Sequence, residues 1–228
     1  MKKVPFSVFC LLCLLCGCTQ DAYDKGEGEY SLVRADFAEA HSNGQKQIDY
    51  IVTDDGEQLP TAEPYSLKWV EKADTLYRGL FYYNKVERGS GQFAAELVSA
   101  GQVPCMQVRP LAKLVGEMKT DPVKFESAWM SKSGKYLNLG LYLMTGSTDD
   151  EEAMQHLALV QDTVVQNPDN TRTSYVRLYH DQGGVPEYYS TQVYASIPTN
   201  RFDADSVRLT INTYQGQVTK SFLIPWTE

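Results

Sequence analysis

The stretch YLNLGLYL at residues 136–143 decides the fold. Leucine occupies every second position from Leu137 to Leu143, and the positions between carry tyrosine, asparagine and glycine. Successive side chains of a strand point to opposite faces, so a period of two predicts a strand with one apolar, buried face. A helix would instead space its apolar residues three and four positions apart. The stretch therefore predicts a sheet whose core face is made of leucine.

The same alternation recurs through the C-terminal half of the chain. Six further segments show it: 123–129, 156–165, 174–180, 188–197, 206–213 and 218–224. Seven strands separated by turns at regular spacing are typical of a β-sandwich. We therefore predict a seven-stranded β-sandwich domain over residues 119–228.

The N-terminal half predicts a second, smaller β-domain. Its predicted strands are 33–37, 48–52, 76–86, 93–98 and 103–108. The sequence TDDG at 53–56 is a strong turn signal. Pro64 and Pro110 fall outside the predicted strands, as the missing N–H of proline requires. Five short strands suit a small OB-like β-barrel at residues 30–118, with 111–118 as a short helix or linker at its end. The predicted fold class is thus all-β, with the small OB-like barrel followed by the sandwich.

The first 18 residues have the three parts of an export signal. Two lysines precede an apolar run, 4–15, which is too short to span a bilayer because spanning takes about 20 apolar residues. The sequence LCGC at 15–18 resembles the lipobox of bacterial lipoproteins, in which the cysteine is diacylated and the chain is cut before it. This resemblance implies a signal peptide at 1–17, cleavage between Gly17 and Cys18, and lipidation of Cys18. A free secreted protein, cut by the ordinary signal peptidase, is the alternative.

Charge argues against one class of partner. Residues 18–29 carry four acidic side chains and glycines, which predict a flexible acidic tether. Loss of residues 1–17 removes two lysines, so Lys+Arg falls from 21 to 19 against 29 Asp+Glu and the net charge moves from −8 to −10. An acidic protein is a poor partner for phosphate backbones. We therefore expect no nucleic-acid binding.

Cysteine usage leaves a single thiol in the mature chain. Of five cysteines, three lie in the predicted signal peptide, Cys18 would be lipidated, and Cys105 remains. An exported domain with one cysteine forms no intramolecular disulfide, so its fold depends on the hydrophobic core. The setting VPCM at 103–106 is apolar and has no nearby histidine, which favours a buried structural thiol over a nucleophile.

Three short segments of the second half resemble a known family. They are KYLNL at 135–139, HLALV at 156–160 and RLYHD at 177–181. These segments resemble the second half of the NigD-like lipoproteins of Bacteroidetes. The resemblance implies an N-terminal OB-type barrel, a C-terminal β-sandwich, and an outer-membrane lipoprotein that faces the periplasm or the cell surface. The family has no established biochemical activity, so the resemblance assigns no functional residues.

Histidines and acidic residues could in principle form a metal site. If the strands of His156 and His180 were neighbours, their imidazoles could bind one ion together with Asp181 or Glu187. Alternatively each histidine hydrogen-bonds locally, with His180 partly buried against a backbone carbonyl. The chain lacks HxH or HExxH spacing, so we expect no metal and no cofactor. The run DDEE at 149–152 lacks the alternating oxygen ligands of a calcium loop and is interpreted as a solvated loop.

Tyrosines are the remaining candidates for a binding site. Five lie on presumed outward faces of strands: Tyr136, Tyr142, Tyr175, Tyr179 and Tyr194. Their rings could stack on sugars or peptides, or they could simply pack across strands.

The sequence contains no GxSxG elbow or other nucleophile motif, so no catalytic residue is predicted. It favours a non-enzymatic, lipid-anchored envelope protein that contacts the membrane through its anchor and binds a partner protein or a glycan. A hydrolase with a nonstandard acidic or histidine site is the alternative. We expect a shallow aromatic groove between the two domains, or no groove.

Overall fold

The computed structural model describes residues 32–225 of the chain. Within that range the backbone forms thirteen strands and two short 3-10 turns. The predicted signal peptide at 1–17, the lipidation site at Cys18 and the acidic tether at 18–29 lie outside the described residues. A search of the described part finds no helix with the length and apolar character needed to cross a membrane.

The first five strands close into a barrel. They are β1 Arg34–Ser42, β2 Gln47–Thr53, β3 Gln58–Ser66, β4 Thr75–Glu87 and β5 Phe93–Gln102. Their order around the barrel is β1-β2-β3-β5-β4, with β4 pairing back onto β1. The interior is apolar and includes the fully buried side chains of Ile48, Ile51, Phe81 and Tyr83. A small OB-like barrel is therefore confirmed.

Two details of the barrel prediction are wrong. Strand β3 was missed because Pro60 and Pro64 lie inside it. It pairs with β5 through a single residue pair, Thr61 with Ala95, and a strand so weakly held on that side tolerates the missing donors of proline. The strand expected at 103–108 does not form. Beyond β5 the Val103 amide donates to the Arg78 carbonyl at 3.0 Å, and the chain then leaves the barrel.

The remaining strands form two packed sheets. They are β6 Val108–Pro110, β7 Lys124–Met130, β8 Tyr136–Thr145, β9 His156–Gln166, β10 Arg172–Asp181, β11 Tyr189–Pro198, β12 Ser206–Thr213 and β13 Gly216–Leu223. One sheet has the order β13-β12-β10-β9-β6 and the other the order β11-β8-β7. The 3-10 turns are Leu111–Lys113 and Thr199–Arg201.

The seven strands predicted for the sandwich are all present, and β6 is an unpredicted eighth. Strand β6 lies ahead of the expected domain boundary at residue 119 and contains Pro110. It runs parallel to β9 and extends the five-stranded sheet at its edge. A proline is acceptable there because an edge strand needs donors on one side only.

The leucine face of β8 fills the sandwich core, as predicted. Leu137, Leu139, Leu141 and Leu143 are buried, and residues of the facing sheet such as Leu209 belong to the same apolar cluster. The opposite face of β8 is also buried, with Asn138 completely inaccessible. This second face packs on the barrel. Asn138 there bonds to Arg78 and Asp54 of the barrel. At Gly140 the space is filled within the sheet, because an added Cβ would lie 2.7 Å from Oε2 of Glu126 on β7.

Candidate functional site

The structure divides the five candidate tyrosines between two faces of the sandwich. Tyr136 and Tyr142 of β8 and Tyr194 of β11 lie on the outer face of the three-stranded sheet, which carries the barrel. Tyr175 and Tyr179 of β10 lie on the outer face of the five-stranded sheet, which points away from the barrel. All five side chains are partly exposed.

The first face is held to the barrel by a buried arginine. Arg78 of β4 is only 6% exposed and makes a two-pronged ion pair with Asp54, through Nη1 to Oδ1 at 2.6 Å and Nη2 to Oδ2 at 2.7 Å. Asp54 lies in the predicted TDDG turn, which forms as expected, with the Gly56 amide donating to the Thr53 carbonyl at 2.8 Å. Both charges belong to the barrel.

Two polar residues of the sandwich complete this network. Nε of Arg78 donates to Oγ of Ser196 at 3.1 Å, and Nη2 donates to Oδ1 of Asn138 at 3.1 Å. Nδ2 of Asn138 donates to Oδ2 of Asp54 at 3.0 Å, while Oγ of Ser196 donates to Oδ1 of Asn138 at 2.7 Å. The four side chains therefore satisfy one another across the domain boundary, where any unpaired member would be costly.

Tyr136 lies beside this network and takes part in the contact between the domains. Its hydroxyl donates to Oε1 of Glu39 at 2.8 Å, and the guanidinium of Arg78 lies 4.1 Å from its ring centre. Burial raises the pKa of Tyr136, and the Glu39 carboxylate raises it further. The neighbouring groove between the domains has a volume of about 270 Å³ and is lined by Glu39, Lys135, Tyr136, Pro198, Thr199 and Asn200. Because Arg78 covers one face of the Tyr136 ring, that face is not free to stack on a ligand.

Tyr194 packs within an aromatic contact between barrel and sandwich. Phe37 of β1 makes edge-to-face contacts with Tyr194 at 5.3 Å and with Trp129 of β7 at 5.4 Å between ring centres. Burial raises the pKa of Tyr194, with a further contribution from the Glu126 carboxylate. Tyr142 lies on the same face, opposite Gln192 of β11 in the strand register.

The second face presents Tyr175, Arg177 and Tyr179 in alternation along β10. The guanidinium of Arg208 on β12 lies 6.0 Å from the Tyr175 ring centre. Arg177 donates from Nε and Nη2 to the carboxylate of Asp162 on β9, at 2.7 and 2.5 Å. This face therefore combines two partly exposed rings with arginine side chains, and both tyrosines project from a strand inside the sheet.

A cleft opens beside Tyr179 on this second face. Its volume is about 300 Å³, and its lining is Arg109, Lys113, Leu114, Val115, His156, Leu157, Ala158, Val160 and Tyr179. The two cationic side chains come from β6 and from the 3-10 turn that follows it. The cleft thus has an apolar floor, one aromatic wall and positive charge, and its lining includes no acidic residue.

The two histidines do not form a shared site. Strands β9 and β10 are neighbours, but His156 lies opposite Asp181 whereas His180 lies opposite Leu157, so the imidazoles point to opposite faces of the sheet. His180 is fully rather than partly buried, and its Nδ1 lies 3.0 Å from the carbonyl oxygen of Asp121. A backbone carbonyl partner was predicted, but it comes from 59 positions away rather than from the same strand end. Within residues 32–225 no group of three or more His, Cys, Asp or Glu side chains is arranged to hold a metal ion.

The acidic run at 149–152 is an exposed loop, as predicted. The Glu152 amide donates to Oδ1 of Asp150 at 3.0 Å, so one of the four carboxylates in this run accepts a hydrogen bond within the loop.

Comparison with known families assigns the sandwich. Residues 109–224, which begin within β6 and include β7 through β13, match the family model described as the NigD-like C-terminal beta sandwich domain. The chain belongs to the NigD-like family. No curated protein sequence matches it significantly.

Solved structures show the same fold as this NigD-like chain. A NigD-like immunity protein from Bacteroides caccae has a TM-score of 0.65 at 20% identity, over 84% of this chain and 97% of its own. A protein of unknown function from Bacteroides vulgatus has a TM-score of 0.64 at 17% identity, over 86% and 92%. A candidate lipoprotein from Bacteroides fragilis has a TM-score of 0.60 at 10% identity, over 86% and 100%. At these identities the likeness concerns the fold alone.

One prediction about this NigD-like chain is wrong, because Cys105 is exposed rather than buried. Its neighbours Val103 and Met106 are the residues that turn inward, at 4% and 7% exposure. The Met106 amide donates to the Ser196 carbonyl at 2.8 Å, which fixes this segment along the edge of β11 and leaves the thiol outward. An apolar sequence setting did not reveal which side of an irregular segment faces the core.

Proposed function

We propose that this NigD-like chain is a lipid-anchored, non-enzymatic protein of the cell envelope that binds a partner protein or a glycan. The observation that supports this most is the position of Tyr175 and Tyr179. Both rings are partly exposed on the sheet face that points away from the barrel, and both are held by the central strand β10. Tyrosine recurs at recognition surfaces because its ring is apolar and its hydroxyl is polar, and its two side-chain torsions lose little conformational entropy on binding.

The proposed anchor is Cys18, with the protein in the outer membrane and facing either the periplasm or the cell surface. The lipobox-like LCGC at 15–18 supports it, and the similar structure from Bacteroides fragilis is described as a candidate lipoprotein. A single acyl chain holds a protein to a membrane only marginally, whereas two or more chains hold it stably.

The anchor is tested by mass spectrometry of native protein and by fractionation. We expect an acylated N-terminal Cys18, and we expect Cys18→Ala to move the protein out of the membrane fraction. The control is Cys105→Ala, which changes the other cysteine of the mature chain and should leave fractionation unchanged. Protease shaving of intact cells assigns the facing. Native protein without an acyl chain at residue 18 contradicts the anchor.

The recognition role is tested by crosslinking in cells and by a broad glycan array. The similar protein from Bacteroides caccae is described as an immunity protein, which supports a protein partner, while exposed tyrosines on a sheet also suit sugars. We expect the double variant Tyr175→Ala, Tyr179→Ala to lose the crosslink or the glycan signal. Tyr188→Ala, at a residue that is 77% exposed and off this face, should retain it. The proposal is contradicted if the double variant keeps both signals. It is also contradicted if the native protein crosslinks to no partner and binds no glycan.

A further inference from the structure

The outer face of β10 has a regular spacing of rings and charges. Tyr175, Arg177 and Tyr179 point to this face, and at about 3.3 Å per residue the two tyrosines are about 13 Å apart along the strand. Arg208 flanks Tyr175 from β12, and Arg109 flanks Tyr179 from β6. Arg208 thus lies beside Tyr175 on the neighbouring strand, and Arg109 lines the same cleft as Tyr179, with β9 between their strands.

This face is positive although the whole chain is acidic, with a net charge of −8. Three cations near this face are exposed: Arg109, Lys113 and Arg208. None of them takes part in an ion pair among residues 32–225. Asp162 lies on the face but is neutralised by Arg177. Asp181 lies at the end of β10, where its Oδ1 accepts the Gly183 amide at 3.0 Å. The cations are thus available to an incoming anion.

We propose that this face binds an acidic polysaccharide, with sugar rings stacked on Tyr175 and Tyr179 and sugar carboxylates held by Arg208 and Arg109. The inference rests on the proposed function and names its ligand class. A guanidinium binds a carboxylate through two parallel hydrogen bonds, and a tyrosine ring offers a flat apolar surface. The apolar floor of the 300 Å³ cleft at Tyr179 accommodates the body of one sugar ring.

A repeating uronic acid presents an apolar C–H face and a carboxylate in every unit, which matches two tyrosine rings on β10 with arginines on β12 and β6. An acidic peptide offers carboxylates on flexible side chains but no ring for Tyr175 or Tyr179. A single-stranded nucleic acid also offers rings and phosphates, and the overall negative charge of the protein opposes both polyanions. A protein exported to the cell envelope, as proposed above, meets polysaccharides there rather than nucleic acids.

The test uses the full-length lipoprotein in detergent and a hexamer of galacturonic acid as the probe, with binding measured by calorimetry. We expect the hexamer to bind and its affinity to fall as salt increases. The fully methyl-esterified hexamer has the same rings without the charges and should bind at least about tenfold more weakly. Arg109→Gln and Arg208→Gln should each weaken binding about tenfold, the loss expected for one charge-assisted contact. Lys68→Gln removes the same charge from an exposed barrel residue and should bind normally.

Other outcomes overturn the inference in distinguishable ways. Equal binding of the methyl ester shows that charge is irrelevant. Binding of poly-glutamate or of an oligo-dT strand as tightly as the hexamer shows that rings of acidic sugars are not what is recognised. If only a neutral glycan or an envelope protein binds, and Tyr175→Ala, Tyr179→Ala abolishes that binding, the acidic ligand is wrong while the proposed function stands. Far-UV circular dichroism and melting of each variant establish that it is folded.

Discussion

Arg78 of the barrel donates from Nη2 to Oδ1 of Asn138 in the sandwich at 3.1 Å, although the two residues are 60 positions apart. Arg78 is 6% exposed and Asn138 is fully buried. The contact places an arginine charge at the boundary between two apolar cores, where it is compensated by Asp54. A buried charge is tolerated only when it is paired and its remaining donors are satisfied. The two β-domains are therefore joined by a polar contact in which each buried group needs its hydrogen-bond partner.

Removing the arginine should strongly destabilise the protein. In Arg78→Met the carboxylate of Asp54 loses its partner, while Asn138 and Ser196 lose a donor. We expect the free energy of unfolding to fall by about 3 kcal/mol or more, as for one partner of a buried pair. Urea unfolding measures this change. The control is Arg172→Met, which breaks the exposed two-pronged pair with Asp203 and should have a much smaller effect. Equal losses for both variants would show that the junction is not held in this way.

The sequence predicted one face of β8 and could not predict the other. The leucines at alternate positions are apolar, so their burial follows from the pattern. Asn138 and Gly140 are polar or small, which is typical of a solvent-facing position, yet both are buried. Gly140 is covered by side chains of the neighbouring strands β7 and β11, whereas Asn138 bonds to Arg78 and Asp54 of the barrel, 60 and 84 positions away. No local pattern encodes such a contact between two domains.

The same limit applies to the candidate site. Sequence alternation placed Tyr175 and Tyr179 on one outward face of β10, and the structure agrees. It did not reveal that β6 would bring Arg109 to that face, because β6 has three residues and contains a proline. A strand so short carries no periodic signal. Arg78 was likewise hidden, since it interrupts an aromatic strand without any pattern that predicts a buried cation.

Glu39 should make stability depend on acid pH. Burial by itself would raise the pKa of Glu39, but hydrogen bonds from Lys135 at 2.8 Å and Tyr136 at 2.8 Å, with the charge of Arg78, hold it below its ordinary value of 4.5. A carboxyl group with a lowered pKa in the folded state stabilises that state above its unfolded pKa. This contribution is lost as the pH falls through the folded pKa.

We therefore expect Glu39→Gln to be less stable than the native protein at neutral pH, and the difference to shrink as the pH falls below the ordinary pKa of 4.5. Urea unfolding at several pH values measures the two curves. Glu63→Gln, at an exposed residue of β3, is the control. A difference between Glu39→Gln and the native chain that stays constant with pH contradicts the role given to this carboxylate.

Phe37 should stabilise the domain contact more than an exposed phenylalanine of the same barrel. Its ring contacts Trp129 and Tyr194 of the sandwich. Phe37→Ala removes both contacts, and we expect a loss of about 2–3 kcal/mol, less than for a fully buried phenylalanine because the side chain is partly exposed. Phe93→Ala, at a residue that is 42% exposed on β5, should cost about 1 kcal/mol or less. Chemical unfolding followed by tryptophan fluorescence compares them, and a larger loss at Phe93 would contradict the contact.

Two adjacent glycines after β10 allow a test of backbone packing. Gly183 and Gly184 have φ of +56° and +77°, so alanine at either position pays the cost of a left-handed conformation, about 1–2 kcal/mol. An added Cβ at Gly183 would lie 1.9 Å from the carbonyl oxygen of Met154, whereas at Gly184 the nearest atom is a side-chain carbon of Ala153 at 3.8 Å. Only Gly183 meets backbone that cannot move aside. The Met154 amide also donates to the Gly183 carbonyl at 3.1 Å, so relief of the clash breaks that bond.

We therefore expect Gly183→Ala to be at least about 2 kcal/mol less stable than Gly184→Ala. For a chain of this size each kcal/mol corresponds to about 2–4 °C in Tm, so differential scanning calorimetry should resolve the two variants clearly. The two substitutions add the same methyl group to the same turn, and their conformational cost is shared. A similar Tm for both would mean that the 149–154 loop moves away from the new methyl group at no cost in stability. Its contact with the turn after β10 would then contribute little to the stability of the sandwich.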